Sequence, residues 1–178
     1  MSKKLSPRFE HHIFKSIVFA LFILSLFNSG CKSDIPDQAL VVGTKAPDFT
    51  LEAFAGGKTT LKDLRGRNIF LLFWSSSCSS CKETMLILDE IYRDKVKDGF
   101  NVIGINVYQK KVDIEKYSKE LGITYPLLMD QKGAVAGLYE VYAIPVAYIL
   151  DESGVVLFKH LGDLSKEQVQ GLIKKFWE

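Results

Sequence analysis

Residues 68–74 read NIFLLFW, a continuous apolar run of strand length. A strand without a polar face is covered on both sides, so it belongs at the centre of a sheet rather than at a solvated edge. The chain then continues SSSCSSCKETM: three serines turn it, and two cysteines three positions apart open a helix. Met85, Leu86, Leu88, Ile91 and Tyr92 recur at helical spacing to about Lys97, and Gly99 ends that helix. FNVIGINVY at 100–108 is a second buried strand, while Ile114, Tyr117 and Leu121 mark a second helix that stops at Gly122. Strand, helix, strand, helix predicts an α/β fold.

The flanks modify that core. DFTLEAF and TTL are short β-prone pieces around Ala55-Gly56-Gly57-Lys58, where the glycine pair supplies the positive φ of a tight hairpin. VAYIL (146–150) and VVLFKH (155–160) flank Asp151-Glu152-Ser153-Gly154 and read as an antiparallel hairpin, which makes the sheet mixed. Ser165 with Gln168 forms a capping-box pattern ahead of Val169, Leu172, Ile173 and Phe176, an apolar face suited to docking on the core. No internal repeat is visible.

At 178 residues the chain has room for one domain and an appendage. Its 47% hydrophobic and 25% charged residues exclude a disordered, collagen-like or multi-span membrane protein. The net charge of +2, without a dense basic stretch past the N-terminus, gives no support to a nucleic-acid partner. Residues 1–15 carry Lys3, Lys4, Arg8 and Lys15 against Glu10, and the uncharged SIVFALFILSLF follows at 16–27. That run falls well short of the roughly 20 residues that span a bilayer, so residues 1–30 read as a signal peptide. Ser29-Gly30 before Cys31 resembles a bacterial lipobox, which makes Cys31 a candidate lipid-attachment site; Asn28 departs from the pattern's usual Leu, and simple cleavage or an uncleaved anchor stay open. The leader accounts for four basic residues and one acid, including none of the later charges, so 23 and 21 become 19 against 20. His11 and His12 leave with it. Residues 31–41, polar with one Pro, form a tether, and the domain spans 42–178.

Cys78 and Cys81 carry the chemistry. A helix N-terminus favours an anion, which lowers the first thiol's pKa, so Cys78 is the expected nucleophile and Ser77 the expected N-cap. Cys81, nearly one turn further in, is placed to attack a mixed disulfide on Cys78 and release the product. Zinc would need four ligands, and the domain offers these two cysteines and the lone His160, so no metal is expected. A purely structural disulfide would close only a tiny loop and stabilise little. No cofactor is expected.

The segments VGTKAPDFTLEAF, LKDLRGRNIFLLFWSSSCSSC and DQKGAVAGLYEVYAIPVAYILDESGVVLFKHLG resemble the TlpA/ResA-like branch of the thioredoxin superfamily, from about Val42 to the C-terminus. The specific matches are Ala46-Pro47-Asp48-Phe49, Phe73-Trp74, and the run Tyr139-x-Val141-x-Ala143-x-Pro145. The resemblance implies a thioredoxin-like fold, a mixed central sheet flanked by helices with an N-terminal β-hairpin extension. It also implies that Pro145 follows a cis peptide, packs against the redox pair and leaves adjacent backbone free for an extended substrate chain. A strand-leading proline without chemistry is the alternative. Departures are Ser77 for the family's Trp before the first Cys, Ser79-Ser80 for a pair containing Pro, Thr84 for a Glu, Leu86 for a Pro, and Val146 for a Thr. Glu83, one position off the family's acid, is turned by about 100° and is left out of the site.

The implied function is a thiol–disulfide oxidoreductase, of reductase type, acting outside the cytoplasm on protein thiols or disulfides such as those of apo-cytochrome c. Its electrons would come from a membrane donor, and the chain would be held at the membrane through the Cys31 lipid or an uncleaved leader. Direction stays open, because about 30 mV, worth about 1.4 kcal/mol for a two-electron couple, decides it. The alternatives are a peroxiredoxin-like thiol peroxidase, for which Ser75 fits but Leu71 stands where that family has Pro, and a redox-inert binding module.

Overall fold

The apolar run at 68–74 does form the buried centre: all six residues of the strand Ile69–Trp74 are buried. The structure, a computed structural model, describes residues 40–178. The expected signal peptide, Cys31 and most of the tether lie outside the described residues. In chain order the strands are β1 (Thr50–Ala53), β2 (Lys58–Thr60), β3 (Ile69–Trp74), β4 (Val102–Val107), β5 (Leu127–Asp130), β6 (Val146–Leu150) and β7 (Val156–Leu161). The helices are α1 (Ser79–Lys95), α2 (Lys111–Leu121), α3 (Ala134–Leu138) and α4 (Lys166–Phe176).

One seven-stranded sheet runs β2-β1-β5-β4-β3-β6-β7. β3, β4 and β5 are parallel, and β1, β6 and β7 join antiparallel, which makes the mixed, helix-flanked sheet of a thioredoxin-like fold. The β1–β2 hairpin is the N-terminal extension; it turns through Gly56 and Gly57, at φ 104° and 79°, and docks on β5. Side chains of β3 alternate between two cores. Ile69, Leu71 and Phe73 meet Ile103, Ile105, Leu128 and Tyr148 on one face. Phe70, Leu72 and Trp74 meet Met85 and Leu88 of α1 and Val169 and Ile173 of α4 on the other. The capping box at Ser165 and Gln168 forms, and α4 docks by its apolar face.

The short strand β5 and the five-residue α3 have no counterpart in the sequence reading. LLMD is too brief for periodicity to register, and all four of its residues are buried. The packing also takes in Leu40, which is buried and whose carbonyl accepts from Lys159 Nζ. Among the described residues no helix is long and apolar enough to cross a membrane.

The separate motifs of the resemblance meet in space. Tyr139, fully buried, donates its hydroxyl to the Pro47 carbonyl at 2.9 Å, and its ring lies 6.0 Å from Phe49 and 5.3 Å from Phe73. Tyr148 in turn donates to the Tyr139 carbonyl. Burial pushes the Tyr139 hydroxyl well above the ordinary phenol range, so it stays a donor. Close approach also explains Gly104: a Cβ there would fall 2.6 Å from Leu127 Cδ2 and 3.1 Å from both Trp74 Nε1 and Tyr125 Cε2.

Tyr139→Phe leaves the Pro47 carbonyl unpaired and is expected to lower unfolding free energy by about 1–3 kcal/mol in urea titration. Gly104→Ala is expected to cost about 1–3 kcal/mol through overpacking against two rigid aromatic rings, read as a lower unfolding midpoint.

Candidate redox site

The parallel strands β3, β4 and β5 end on one edge of the sheet, the edge where open α/β sheets carry their sites. β3 delivers the chain there at Trp74, and a hydrogen-bonded serine turn follows. Ser75 Oγ lies 2.9 Å from Ser77 Oγ and accepts from Ser77 N at 3.3 Å, while Cys78 N donates to the Ser75 carbonyl at 3.1 Å.

α1 then starts at Ser79 with Cys78 itself as N-cap. This corrects the expectation that Ser77 caps the helix. Ser77 Oγ is engaged with Ser75, and the cysteine sulfur takes the free amide, accepting from Cys81 N at 3.2 Å. An N–H at the positive end of a helix, aimed at sulfur, favours the thiolate. Cys78 and Cys81 form a disulfide with Cα atoms 5.4 Å apart. Their access to solvent differs: Cys78 is partly exposed, whereas Cys81 is 0% exposed. The outer sulfur can meet a partner, and the inner one can meet only the outer.

The Ile144–Pro145 peptide is cis, and Ile144 carries its carbonyl oxygen to 3.8 Å from Cys78 Sγ. Pro145 is buried, and its own carbonyl accepts from Gly162 N at 2.9 Å. Among the described residues neither Ala143 nor Ile144 pairs its backbone with another backbone group. Tyr142 and Leu161, at 89% and 64% exposed, are large apolar side chains beside this segment in the chain and in the β6–β7 ladder.

The departures from the family pattern have physical places. Ser80 Oγ lies 3.5 Å from Cys78 Sγ, so a hydroxyl stands beside the outer sulfur where a proline would offer none. Thr84, at the position of the family's acid, is fully buried and accepts from Leu164 N at 3.1 Å. It ties α1 to the segment before α4. Glu83 is exposed, as its rotation about the helix predicts. His160 Nε2 lies 3.1 Å from the Asp163 carbonyl.

Two residues at the site have no motif to announce them. Asn106, fully buried on β4, donates to Gln109 Oε1 at 2.8 Å, and Gln109 reaches across to Ser76. The one signal for them in the sequence is a polar Asn inside the apolar run FNVIGINVY.

Known proteins are similar to this chain in sequence and in fold. The AhpC/TSA family profile matches residues 42–159. The thiol-disulfide oxidoreductase ResA of Geobacillus kaustophilus is 33% identical over 132 residues, covering 74% of this chain and 76% of that protein. The thioredoxin-like protein YneN of Bacillus subtilis is 30% identical over 149 residues, covering 82% and 85%. A DsbE-type thiol:disulfide interchange protein from Chlorobium tepidum superposes with a TM-score of 0.72 at 29% identity, over 77% of this chain and 98% of that structure. With its Cys78–Cys81 pair at disulfide distance on a thioredoxin-like sheet, the chain belongs to the AhpC/TSA family as a ResA-like thiol–disulfide oxidoreductase.

Proposed function

We propose that the chain reduces disulfides of proteins outside the cytoplasm, with Cys78 as the attacking thiol and Cys81 as the resolving one. The observation that carries this assignment is the unequal exposure of two bonded cysteines at a helix N-terminus. In the reduced protein the Cys78 thiolate attacks one sulfur of a substrate disulfide, forms a mixed disulfide and expels the other substrate sulfur as a thiolate. The Cys81 thiolate then attacks Cys78 Sγ, releases the second substrate thiol and leaves the Cys78–Cys81 disulfide. Two electrons pass to the substrate, and a dithiol donor at the membrane returns them by the reverse exchange.

Pro145 is the third site residue in this reading. The backbone at Ala143 and Ile144, which makes no backbone–backbone hydrogen bond among the described residues, offers a short edge to an extended substrate segment, and the Ile144 carbonyl lies against the sulfur that attacks. Export and anchoring rest on the sequence of residues 1–31: a basic start, a short apolar run and small residues before Cys31. The name of the ResA and DsbE relatives supports exchange with protein thiols, and apo-cytochrome c and other envelope thiols are the substrates the resemblance suggests.

Cys81→Ser is expected to trap substrates as mixed disulfides on Cys78, identifiable by mass spectrometry and absent when Cys78→Ser is added. Partners captured only through Cys81, in the Cys78→Ser protein, would reverse the role assignment. Growth with a fatty-acid probe is expected to label the wild-type protein and not Cys31→Ser; an unlabelled wild type would remove the lipid anchor.

A further inference from the structure

The turn that presents Cys78 is held from a neighbouring strand. β4 ends at Val107, and the next residue, Tyr108, donates its N–H to the Asp130 carbonyl at 3.1 Å while taking φ 59°, a left-handed conformation rare outside glycine. Its ring lies over Gly133 so closely that a Cβ there would fall 1.9 Å from Tyr108 Cε1. Backbone strain of this kind persists where surrounding contacts hold it. The result is that Gln109 is turned back toward the end of β3.

One side-chain amide then makes three hydrogen bonds. Gln109 Oε1 accepts from Ser76 N at 2.7 Å and from Asn106 Nδ2 at 2.8 Å, and Gln109 Nε2 lies 2.6 Å from Ser76 Oγ, to which it donates. The orientation follows from chemistry, since a backbone N–H can only donate and the atom facing it must be the oxygen. Two of the three bonds go to Ser76, inside the turn that Cys78 N closes on the Ser75 carbonyl. The third goes to Asn106, which is fully buried and lies opposite Trp74 in the parallel ladder.

We propose that Gln109 is a positioning residue for Cys78, its amide fixing the serine turn so that the reactive sulfur stays on the Cys81 N–H at the start of α1. This rests on Cys78 being the attacking thiol. Gln109 touches neither sulfur; it acts through Ser76. A neutral amide suits the place because it both donates and accepts without adding charge near a forming thiolate. When the amide is lost, Ser76 N–H and Oγ turn to water and the sulfur loses its fixed seat on the helix amide, so thiolate formation shifts to higher pH.

The test is the pH dependence of Cys78 alkylation by iodoacetamide in the full chain carrying Cys81→Ser, where the backbone amide at 81 is retained. Gln109→Met keeps the length and removes all three bonds; at neutral pH it is expected to slow alkylation about two- to fivefold, the span of one helix-terminus interaction, and to raise the pH midpoint. Ser76→Ala removes only the hydroxyl bond and is expected to fall between Gln109→Met and the parent. Urea unfolding is followed in parallel, because a purely structural role would lower stability without moving the pH midpoint. Midpoints unchanged from the parent in both variants overturn the proposal, and if Gln109→Met does not fold, an unchanged midpoint in Ser76→Ala overturns it alone. A parent Cys78 that alkylates with the midpoint of an ordinary exposed thiol would instead overturn the assignment of Cys78 as nucleophile.

Discussion

Burial of β3 on both faces is the constraint on which the rest of this structure depends. A strand with no solvated side must pair on both edges and carry helices above and below, so Ile69–Trp74 brings the sheet and both cores into being around itself. It also fixes where the strand can end. The chain leaves the core only after Trp74, turns within a few residues, and starts a helix whose first amides have no partner of their own. One of those amides falls to a cysteine sulfur, and the helix cap and the redox site become the same atom.

The chemistry then comes from asymmetry within a short interval. Two cysteines of identical intrinsic reactivity are separated by less than one helical turn, yet one meets solvent and the other faces the core beside Met85 and Leu88. Around the outer sulfur stand the Cys81 amide at the helix start, 3.2 Å away, the Ser80 hydroxyl at 3.5 Å, and the Ile144 carbonyl, which approaches to 3.8 Å from β6's side of the sheet. No single element supplies this environment. It is assembled from the ends of β3 and β4 and the start of β6, the places where a parallel sheet gathers loops.

Much of this was legible in the chain. The apolar runs at 68–74 and 100–108 identified the central strands, the Gly56-Gly57 pair and the Asp151-Glu152-Ser153-Gly154 turn identified the two hairpins, and the capping box marked the start of α4. Leu127–Asp130 and Ala134–Leu138 were not legible, because segments of four and five residues carry too little pattern to distinguish them from loop. The N-cap was displaced by one residue for a similar reason. Serine is the better cap by general preference, but here its hydroxyl is already bonded to Ser75, and that contact depends on the turn rather than on residue type. Asn106 and Gln109 escaped notice because their significance lies in a reach between strands that are more than 30 residues apart in sequence.

The sequence by itself determined that this is an α/β chain whose strand–turn–helix junction carries a C-x-x-C pair, since hydrophobic period and helix polarity are local properties written in consecutive residues. The resemblance of its motifs added the family and the expectation of a cis peptide before Pro145. Only the tertiary structure decided which cysteine is open, which carbonyl faces it, and that Tyr139 joins the Pro47 segment to the centre of the sheet. It also decided that Thr84, where the resemblance led one to expect an acid, accepts from the backbone of Leu164. Those are contacts between residues distant along the chain, and they exist only once burial has brought the strands and helices together.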